Sequence, residues 1–550
     1  MAMPSVRVAL AQTNPLVGDI SANLDHCFAT VAEAAKSGAQ LVLFGEMVAT
    51  GYPIEDLAHR ESFVRSAESQ VASFARRLDE AGFGTIATVI GHPSMANESN
   101  GWAIAHNTAS VLLGGRIVGS YAKHHLPNYG VFDEHRNFLP GEDLLTFEHF
   151  GLRFSVVICE DIWQAGGPVA QIGSAGTDVT LVLNGSPFEI DKDDRRLALV
   201  RGIAKTHGTA VAYCNLVGGQ DDLVFDGDSL VIDAAGEVKA RGLQFAEDLL
   251  LLDFDSAGAV TVASEPSVTR ADDDWQAWNA LVLGLRDYVN KNGFQSVILG
   301  MSGGIDSAVC AAIAADALGA GRVFGVSMPS KYSSSHSRSD ADDSAERIGM
   351  HLRTESIEAY TAEFETGLDL DGLAAENLQA RMRGVILMAL SNKEGHLVLT
   401  TGNKTELAVG YSTIYGDSVG GYAPLKDVEK TLVWRLARWR NEYAIQNGQT
   451  PPIPENSISK PPSAELRPGQ VDQDSLPDYE VLDAILDAYV ERRLSREEVI
   501  ALGFDSTTVD KVIRLVAIAE WKRRQGAIGP KITSMAYGRD RRMPITNRYR

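Results

Sequence analysis

The chain has 550 residues, of which 45% are hydrophobic and 22% charged, and a formal net charge of −22. That length exceeds what one core supports, so roughly two to four domains are expected, and the negative charge argues against nucleic acid or an anionic membrane surface as the main partner. No apolar run approaches the length of a membrane span, residues 1–15 lack the basic and apolar parts of a signal peptide, and Cys27, Cys159, Cys214 and Cys310 form no CxxC pair, so a reducing cytoplasm is expected.

In the first half, 7–12, 41–47, 85–92, 110–113, 154–159, 179–184 and 210–215 have strand character, and 21–36, 62–78 and 196–206 have helical spacing. Short β-rich pieces follow at 229–232 and 249–254. The stretch 255–274 is rich in Ser, Ala, Gly and Asp and has the composition of a linker. An amphipathic helix at 275–290 opens the second half, followed by an apolar strand at 297–299, a glycine turn and an alanine-rich helix over 308–318. Further βα units start at 322–328 and 397–401. The segment 331–340 is a serine-rich loop, and the proline-dense 451–477 is expected to be a long functional loop. The tail is locally basic, with Arg539, Arg541, Arg542, Arg548 and Arg550. Two α/β domains follow, 1–260 and 275–550, joined by a linker at 261–274.

The run Gly300-Met301-Ser302-Gly303-Gly304-Ile305-Asp306-Ser307 sits between a strand and a helix N-terminus. That geometry offers free backbone N–H groups and a positive dipole end to a phosphate. Ser302 and Ser307 add hydroxyl donors, and an aspartate inside a phosphate loop points to an intervening Mg²⁺. The P-loop pattern GxxxxGK[ST] is absent. The run resembles the SGGxDS signature of the ATP pyrophosphatases, which cleave ATP to AMP and pyrophosphate.

In the first half, Cys159 ends an apolar strand, where α/β folds gather catalytic groups. A buried cysteine is more often a small core hydrophobe. Glu46 and Lys123 also end apolar strands, however, so base, cation and thiol could meet at one sheet rim. These residues, with Ala11-Gln12-Thr13-Asn14-Pro15, resemble the nitrilase-type amidase superfamily and its Glu–Lys–Cys triad on an α-β-β-α sandwich. The resemblance implies that Cys159 forms a thioester, that Glu46 moves its proton, and that Lys123 with the Glu160 N–H stabilises the oxyanion. Glu134 is then either a second carboxylate orienting the triad or a surface partner of Arg136. Asn184-Gly185-Ser186 followed by Lys192 is similar to the glutamine-binding segment of glutaminases in that superfamily. It implies that Ser186 and Lys192 hold the two α-substituents, with Tyr129 lining the pocket, although Lys192 sits in a charge run that usually forms a solvated face.

Nearly the whole chain is similar to the glutamine-dependent NAD⁺ synthetases. The similarity rests on Asn377-Leu378-Gln379-Ala380-Arg381, on Thr400 to Tyr411, on Tyr415-Gly416-Asp417, and on the closing segment from Gly529 to Arg548. It implies a Rossmann-like parallel sheet in the second domain and amidation of deamido-NAD⁺ through an adenylated intermediate, using ATP, L-glutamine and Mg²⁺. NAD⁺ is then a product and not a redox cofactor, which fits the absence of a GxGxxG fingerprint. By the same resemblance Gly300 to Ser307 cradle ATP, Thr401, Lys430 and Ser463 contact it, Asp306 and Glu406 hold Mg²⁺, and Asn377, Glu406 and Lys531 meet deamido-NAD⁺. Ammonia passing between the domains, small-molecule partners and a homo-oligomer complete the expectation.

Overall fold

The computed structural model describes residues 5–96, 101–262, 270–333, 335–463, 465–467 and 469–548. It divides the chain into one unit of Met1–Gln220 and Val224–Ala271 and another of Asp221–Leu223 and Asp272–Arg550. Half of the expected linker, 263–269, lies outside the described residues, as do Arg550 of the basic tail and Ala464 and Pro468 of the proline-dense segment. Among the described residues no helix is long and apolar enough to cross a membrane.

Up to residue 262 the strands are β1 (Ser5–Gln12), β2 (Leu41–Phe44), β3 (Ala87–Met95), β4 (Ala105–Leu113), β5 (Arg116–Ala122), β6 (Leu145–His149), β7 (Leu152–Ile158), β8 (Val179–Asn184), β9 (Ala210–Asn215), β10 (Val217–Gln220), β11 (Leu223–Asp226), β12 (Leu230–Ile232), β13 (Val238–Arg241), β14 (Asp248–Asp255) and β15 (Val260–Val262). The helices are α1 (Ile20–Lys36), α2 (Glu61–Glu80), α3 (Glu134–Asn137) and α4 (Lys192–His207). One sheet runs β15-β14-β1-β2-β3-β4-β5 and the other β13-β12-β9-β8-β7-β6. Their inner faces share one core, in which Val8, Leu43, Val89 and Tyr121 of the first sheet meet Val156, Leu181 and Tyr213 of the second. α2 packs outside β3, β4 and β5, and α4 outside β9 and β12. The result is the expected α-β-β-α sandwich. β8 (VTLVLN) is buried along its whole length, because a parallel central strand has one face on the opposite sheet and the other under a helix.

Several boundaries differ from expectation. β4 begins at Ala105 because it pairs with β3 as far as Met95, well before the apolar run at 110–113. β5 was not expected as a full strand: it lies at the sheet edge, and its first three residues, Arg116, Ile117 and Val118, are exposed. α4 starts at Lys192, within the charge run, and not at 196. α1 begins where expected, after Asp19 accepts the Ala22 N–H at 3.1 Å.

The second unit carries four parallel strands in the order β18 (His351–Thr354), β17 (Val323–Ser327), β16 (Val297–Gly300), β19 (Leu397–Leu399). α5 (Asp273–Lys291) is capped by Asp272, whose carboxylate accepts the Trp275 N–H at 2.8 Å. α6 (Ile305–Leu318) follows β16 through the glycine turn. α7 (Ser335–Ile348) replaces most of the expected serine-rich loop, leaving 331–333 irregular. α8 (Glu358–Leu368), α9 (Gly372–Glu394), α10 (Lys404–Val409) and α11 (Lys430–Gln446) complete the layered part. Among its described residues, the segment 451–477 holds a short helix, α12 (Glu455–Ser459), with Ile453 and Ile458 buried, and a 3₁₀ turn at Asp472–Asp474, and is otherwise irregular as expected. A separate small core joins α13 (Tyr479–Leu486), α14 (Arg496–Ala501) and α15 (Ser506–Ile518) with Ala408 and Val409 of α10.

One glycine shows how tightly the first unit is built around residue 46. A Cβ on Gly91 of β3 would lie 2.3 Å from Met47 N and 2.9 Å from Glu46 C. Gly91→Ala is therefore expected to destabilise the unit by about 1–3 kcal/mol through overpacking. Differential scanning calorimetry would show this as a loss of about 3–10 °C in its unfolding midpoint.

Candidate active site

Three strands of the first unit end beside one another. β2 ends at Phe44, β5 at Ala122 and β7 at Ile158, so Glu46, Lys123 and Cys159 each fall just beyond a strand. Lys123 Nζ lies 2.8 Å from Glu46 Oε1 and 2.8 Å from Glu134 Oε2, with all three side chains buried. The surface alternative for Glu134 is thereby overturned, since Arg136 pairs instead with Asp56 at 2.7 Å. The Tyr52 hydroxyl donates to Glu134 Oε1 at 2.8 Å. Asn107 Nδ2 donates to Glu46 Oε1 at 2.7 Å and the Gly185 N–H to Glu46 Oε2 at 2.8 Å. Tyr52 and Asn107 were missed in the sequence, where a lone tyrosine or asparagine carries no spacing signal.

Burial opposes the charge on Lys123, but Glu134 and Glu46 outweigh it and hold the ammonium well above the ordinary lysine range. Burial, with Glu46 adding to it and Lys123 opposing, pushes Glu134 up to about 7. Cys159 opens a single 3₁₀ turn, Cys159–Ile162, with a left-handed φ of 40°. A non-glycine residue in that region is a strained one of the kind that clusters at functional sites. Burial first, and then the Glu46 carboxylate, push its thiol well above the usual range. A thiol held in that way would need a base to take its proton before it could act as a nucleophile.

The expected glutamine contacts group around these residues unevenly. Ser186 is buried and its N–H donates to Asn215 Oδ1 at 3.0 Å, next to the Gly185 N–H that serves Glu46. The half-exposed Tyr129 donates its hydroxyl to Glu160 Oε2 at 2.9 Å, one residue past Cys159. Lys192 Nζ donates to the Pro187 carbonyl at 2.9 Å. Its charge run is not a uniformly solvated face, since Asp193 and Arg196 are buried and Arg196 Nη1 pairs with Asp226 at 3.0 Å.

In the second unit a cavity of about 290 Å³ opens at the C-terminal ends of β16 and β17 and is lined by Gly300 to Ser302 and Gly304 to Ser307, Thr401, Glu406, Lys430 and Ser463. Strand ends of a parallel sheet are where such folds bind ligands. Among the described residues, Gly303, Asn377 and Lys531 are not in that wall. Gly303 instead shapes the turn: its φ is 76°, and a Cβ there would meet Ser337 O at 2.2 Å. Asn377 accepts the Thr413 hydroxyl at 2.9 Å, and the buried Lys531 pairs with Asp540 at 3.2 Å. Arg338, Arg383, Lys426, Lys460 and Arg523 also line the cavity and were not expected there. They come from separate elements, so the net charge of the chain concealed a local concentration of cations. Lys430 Nζ hydrogen-bonds Asp306 and lies 3.7 Å from Glu406 Oε1. Burial, with the Asp306 charge adding to it, raises Glu406 to about 8. Two hard oxygen donors crowded together, one of them held back from ionising by burial and by the other's charge, suit a Mg²⁺ ion that would favour both carboxylates. Among the described residues no group of three or more His, Cys, Asp or Glu could enclose a metal, so phosphate oxygens and water would complete its shell.

The buried triplet in the first unit gives a thermodynamic expectation. Lys123→Ala leaves two carboxylates facing each other, which should cost about 3–5 kcal/mol at pH 8. A carboxyl whose folded pKa lies above its unfolded value takes up a proton on folding, so stability lost above that pKa returns as pH falls through it. The deficit against the unsubstituted chain should therefore shrink between pH 8 and pH 5.5, as read from thermal unfolding at both values.

Residues 7–263 match the carbon-nitrogen hydrolase family model and residues 277–526 the NAD synthase model. The chain is 45% identical over 554 residues to the glutamine-dependent NAD(+) synthetase of Acinetobacter baylyi, covering 100% of this chain and 99% of that one. It is 46% identical over 559 residues to the protein of the same name from Xanthomonas campestris pv. campestris, at 99% and 98% coverage. Its fold matches the structure of glutamine-dependent NAD+ synthetase from Acinetobacter baumannii in complex with ADP, with a TM-score of 0.78, 43% identity and 99% coverage of each chain.

Proposed function

Since the chain belongs to the glutamine-dependent NAD(+) synthetase family, we propose how its residues divide the reaction. The chain carries a carbon–nitrogen hydrolase domain and an NAD synthase domain, the pair that makes NAD⁺ with glutamine as nitrogen source. The observation that carries the residue-level reading is the buried Lys123 ammonium held between Glu46 and Glu134 at the strand ends that also present Cys159.

In the first domain the Cys159 thiol attacks the side-chain amide carbon of glutamine while Glu46 takes its proton. Lys123 and the Glu160 N–H stabilise the negative charge that develops on the amide oxygen. Glu46 returns the proton to the departing nitrogen, ammonia leaves, and water cleaves the thioester to glutamate. Glu134, braced by Tyr52, keeps the Lys123 ammonium charged and aimed. Ser186, Lys192 and Tyr129 bind the amino-acid end of the substrate.

In the second domain the deamido-NAD⁺ carboxylate attacks the α-phosphorus of ATP, expelling pyrophosphate, and ammonia then displaces AMP to give NAD⁺. The turn 300–307 holds the phosphates against the α6 N-terminus, and Thr401, Lys430 and Ser463 contact ATP from the cavity wall. Asp306 and Glu406 would hold Mg²⁺, which neutralises charge on the leaving pyrophosphate. Asn377 and Lys531 stay assigned to deamido-NAD⁺ only if that substrate extends beyond the cavity. The four buried free thiols suit a cytoplasmic setting. The reading extends to a homo-oligomer, supported by exposed Tyr360, Phe364 and Leu368 along one side of α8. Sedimentation at the mass of one chain would rule that out.

The assay supplies deamido-NAD⁺, ATP and Mg²⁺ with either glutamine or ammonium, and quantifies NAD⁺ and AMP. Cys159→Ala should lose glutamine-driven synthesis by at least about 10³-fold while ammonium-driven synthesis persists. Asp306→Asn should lose both. Glutamine-driven synthesis that survives Cys159→Ala would sink the triad.

A further inference from the structure

Asp161 lies two residues past the nucleophile and is completely buried. Its carboxylate is saturated by four hydrogen bonds: Oδ1 accepts the backbone N–H of His124 at 3.0 Å and of His125 at 2.8 Å, and Oδ2 accepts the Tyr121 hydroxyl at 2.7 Å and the Ile158 N–H at 3.0 Å. Three of those donors bracket Lys123 along the chain, and the fourth belongs to the residue immediately before Cys159. The described ion pairs give Asp161 no cationic partner. A buried carboxylate without one is an expensive way to satisfy backbone groups that a neutral side chain could serve in part.

We infer that Asp161 is a positioning residue for the glutaminase step, one rigid group that fixes the Lys123 ammonium and the Cys159 sulfur relative to each other. The inference rests on the triad reading above. β5 and β7 belong to different sheets, so no ladder hydrogen bond ties their ends together. Other ties on the Lys123 backbone, such as Lys123 N–H to Asn107 O at 2.8 Å and Gly141 N–H to Lys123 O at 2.9 Å, do not involve the Cys159 turn. The strained Cys159 backbone also needs an anchor, and the Ile158 N–H held by Asp161 supplies it on the preceding residue. The acceptors must all be oxygens. In an asparagine of the same shape, an NH₂ group would face the Ile158 N–H or the His124 and His125 N–H groups.

The test uses the full chain and reads kcat and KM for glutamine, with the ammonium-driven rate in the same sample as normaliser. All rates are taken well below each variant's unfolding midpoint. A displacement of about 1 Å at a reacting centre costs on the order of 10²-fold. Asp161→Asn is therefore expected to lower the glutamine-driven kcat about 10- to 100-fold, with KM for glutamine changed by less than about 3-fold. Covalent inactivation of Cys159 by a γ-diazoketone analogue of glutamine should slow by a similar factor. Unchanged kcat, or a loss carried by KM alone, overturns the inference. If Asp161→Asn does not fold, Tyr121→Phe decides: it removes one of the four bonds, a several-fold fall in kcat supports the inference, and a kcat equal to that of the unsubstituted chain overturns it. Cys159→Ala run alongside separates the two layers, because glutamine use surviving in that variant defeats the triad itself.

Discussion

One buried ammonium organises the first domain. Lys123 sits between Glu46 and Glu134, and all three ionisable side chains are almost wholly removed from solvent. Desolvating such a group is unfavourable, and only close opposite charge and further hydrogen bonds offset it. Tyr52, Asn107 and the Gly185 N–H provide those bonds. The arrangement leaves the Glu46 carboxylate beside a thiol, while burial and Glu46 together raise Glu134. The Glu46 charge disfavours a resting thiolate and favours a carboxylate able to receive a proton. A cysteine kept neutral until substrate arrives is also less open to oxidation.

The second domain applies related electrostatics with a different balance. Lys430 faces Asp306 and Glu406, again one ammonium against two carboxylates, but here the group lines an open cavity ringed by further arginines and lysines. A chain of net charge −22 thus gathers cations around one cavity of its second domain. The glycine turn fits the same purpose. At Gly303 the backbone is left-handed and passes too close to Ser337 for any side chain, which keeps the N–H groups of the turn near the α6 N-terminus.

The sequence disclosed most of the architecture, because central strands such as β8 and β9 are apolar on both faces and the glycine turn is punctuated by residues with few other uses. Glu46, Lys123 and Cys159 could be found together because each ends an apolar run. Asn107 and Tyr52 could not, since their importance comes from partners 61 and 82 residues distant. Serine is a weak helix former, so 335–340 carries no helical signal, and tertiary packing overrides that preference in α7 through buried Ser337, Ala341 and Ser344. The exposed start of β5 hid a strand for the opposite reason: it pairs along its length but has little to bury. Lys531, matched by motif, pairs with Asp540 and does not line the cavity, a placement that no local sequence signal discloses.

The turn that opens α10 has a consequence for how variants of this protein are interpreted. Asn403 and Glu406 cap the helix reciprocally, Glu406 N–H to Asn403 Oδ1 at 3.0 Å and Asn403 N–H to Glu406 Oε2 at 3.3 Å, while Asn403 also donates to Asp306 at 3.0 Å. Glu406 therefore both starts a helix and lines the cavity, while Asn403 starts the same helix and braces Asp306 in the cavity wall. Substituting either one confounds folding with chemistry, so loss of activity in a mutational survey assigns no role there by itself. Natural variation at this pair should likewise be narrower than either duty alone would impose.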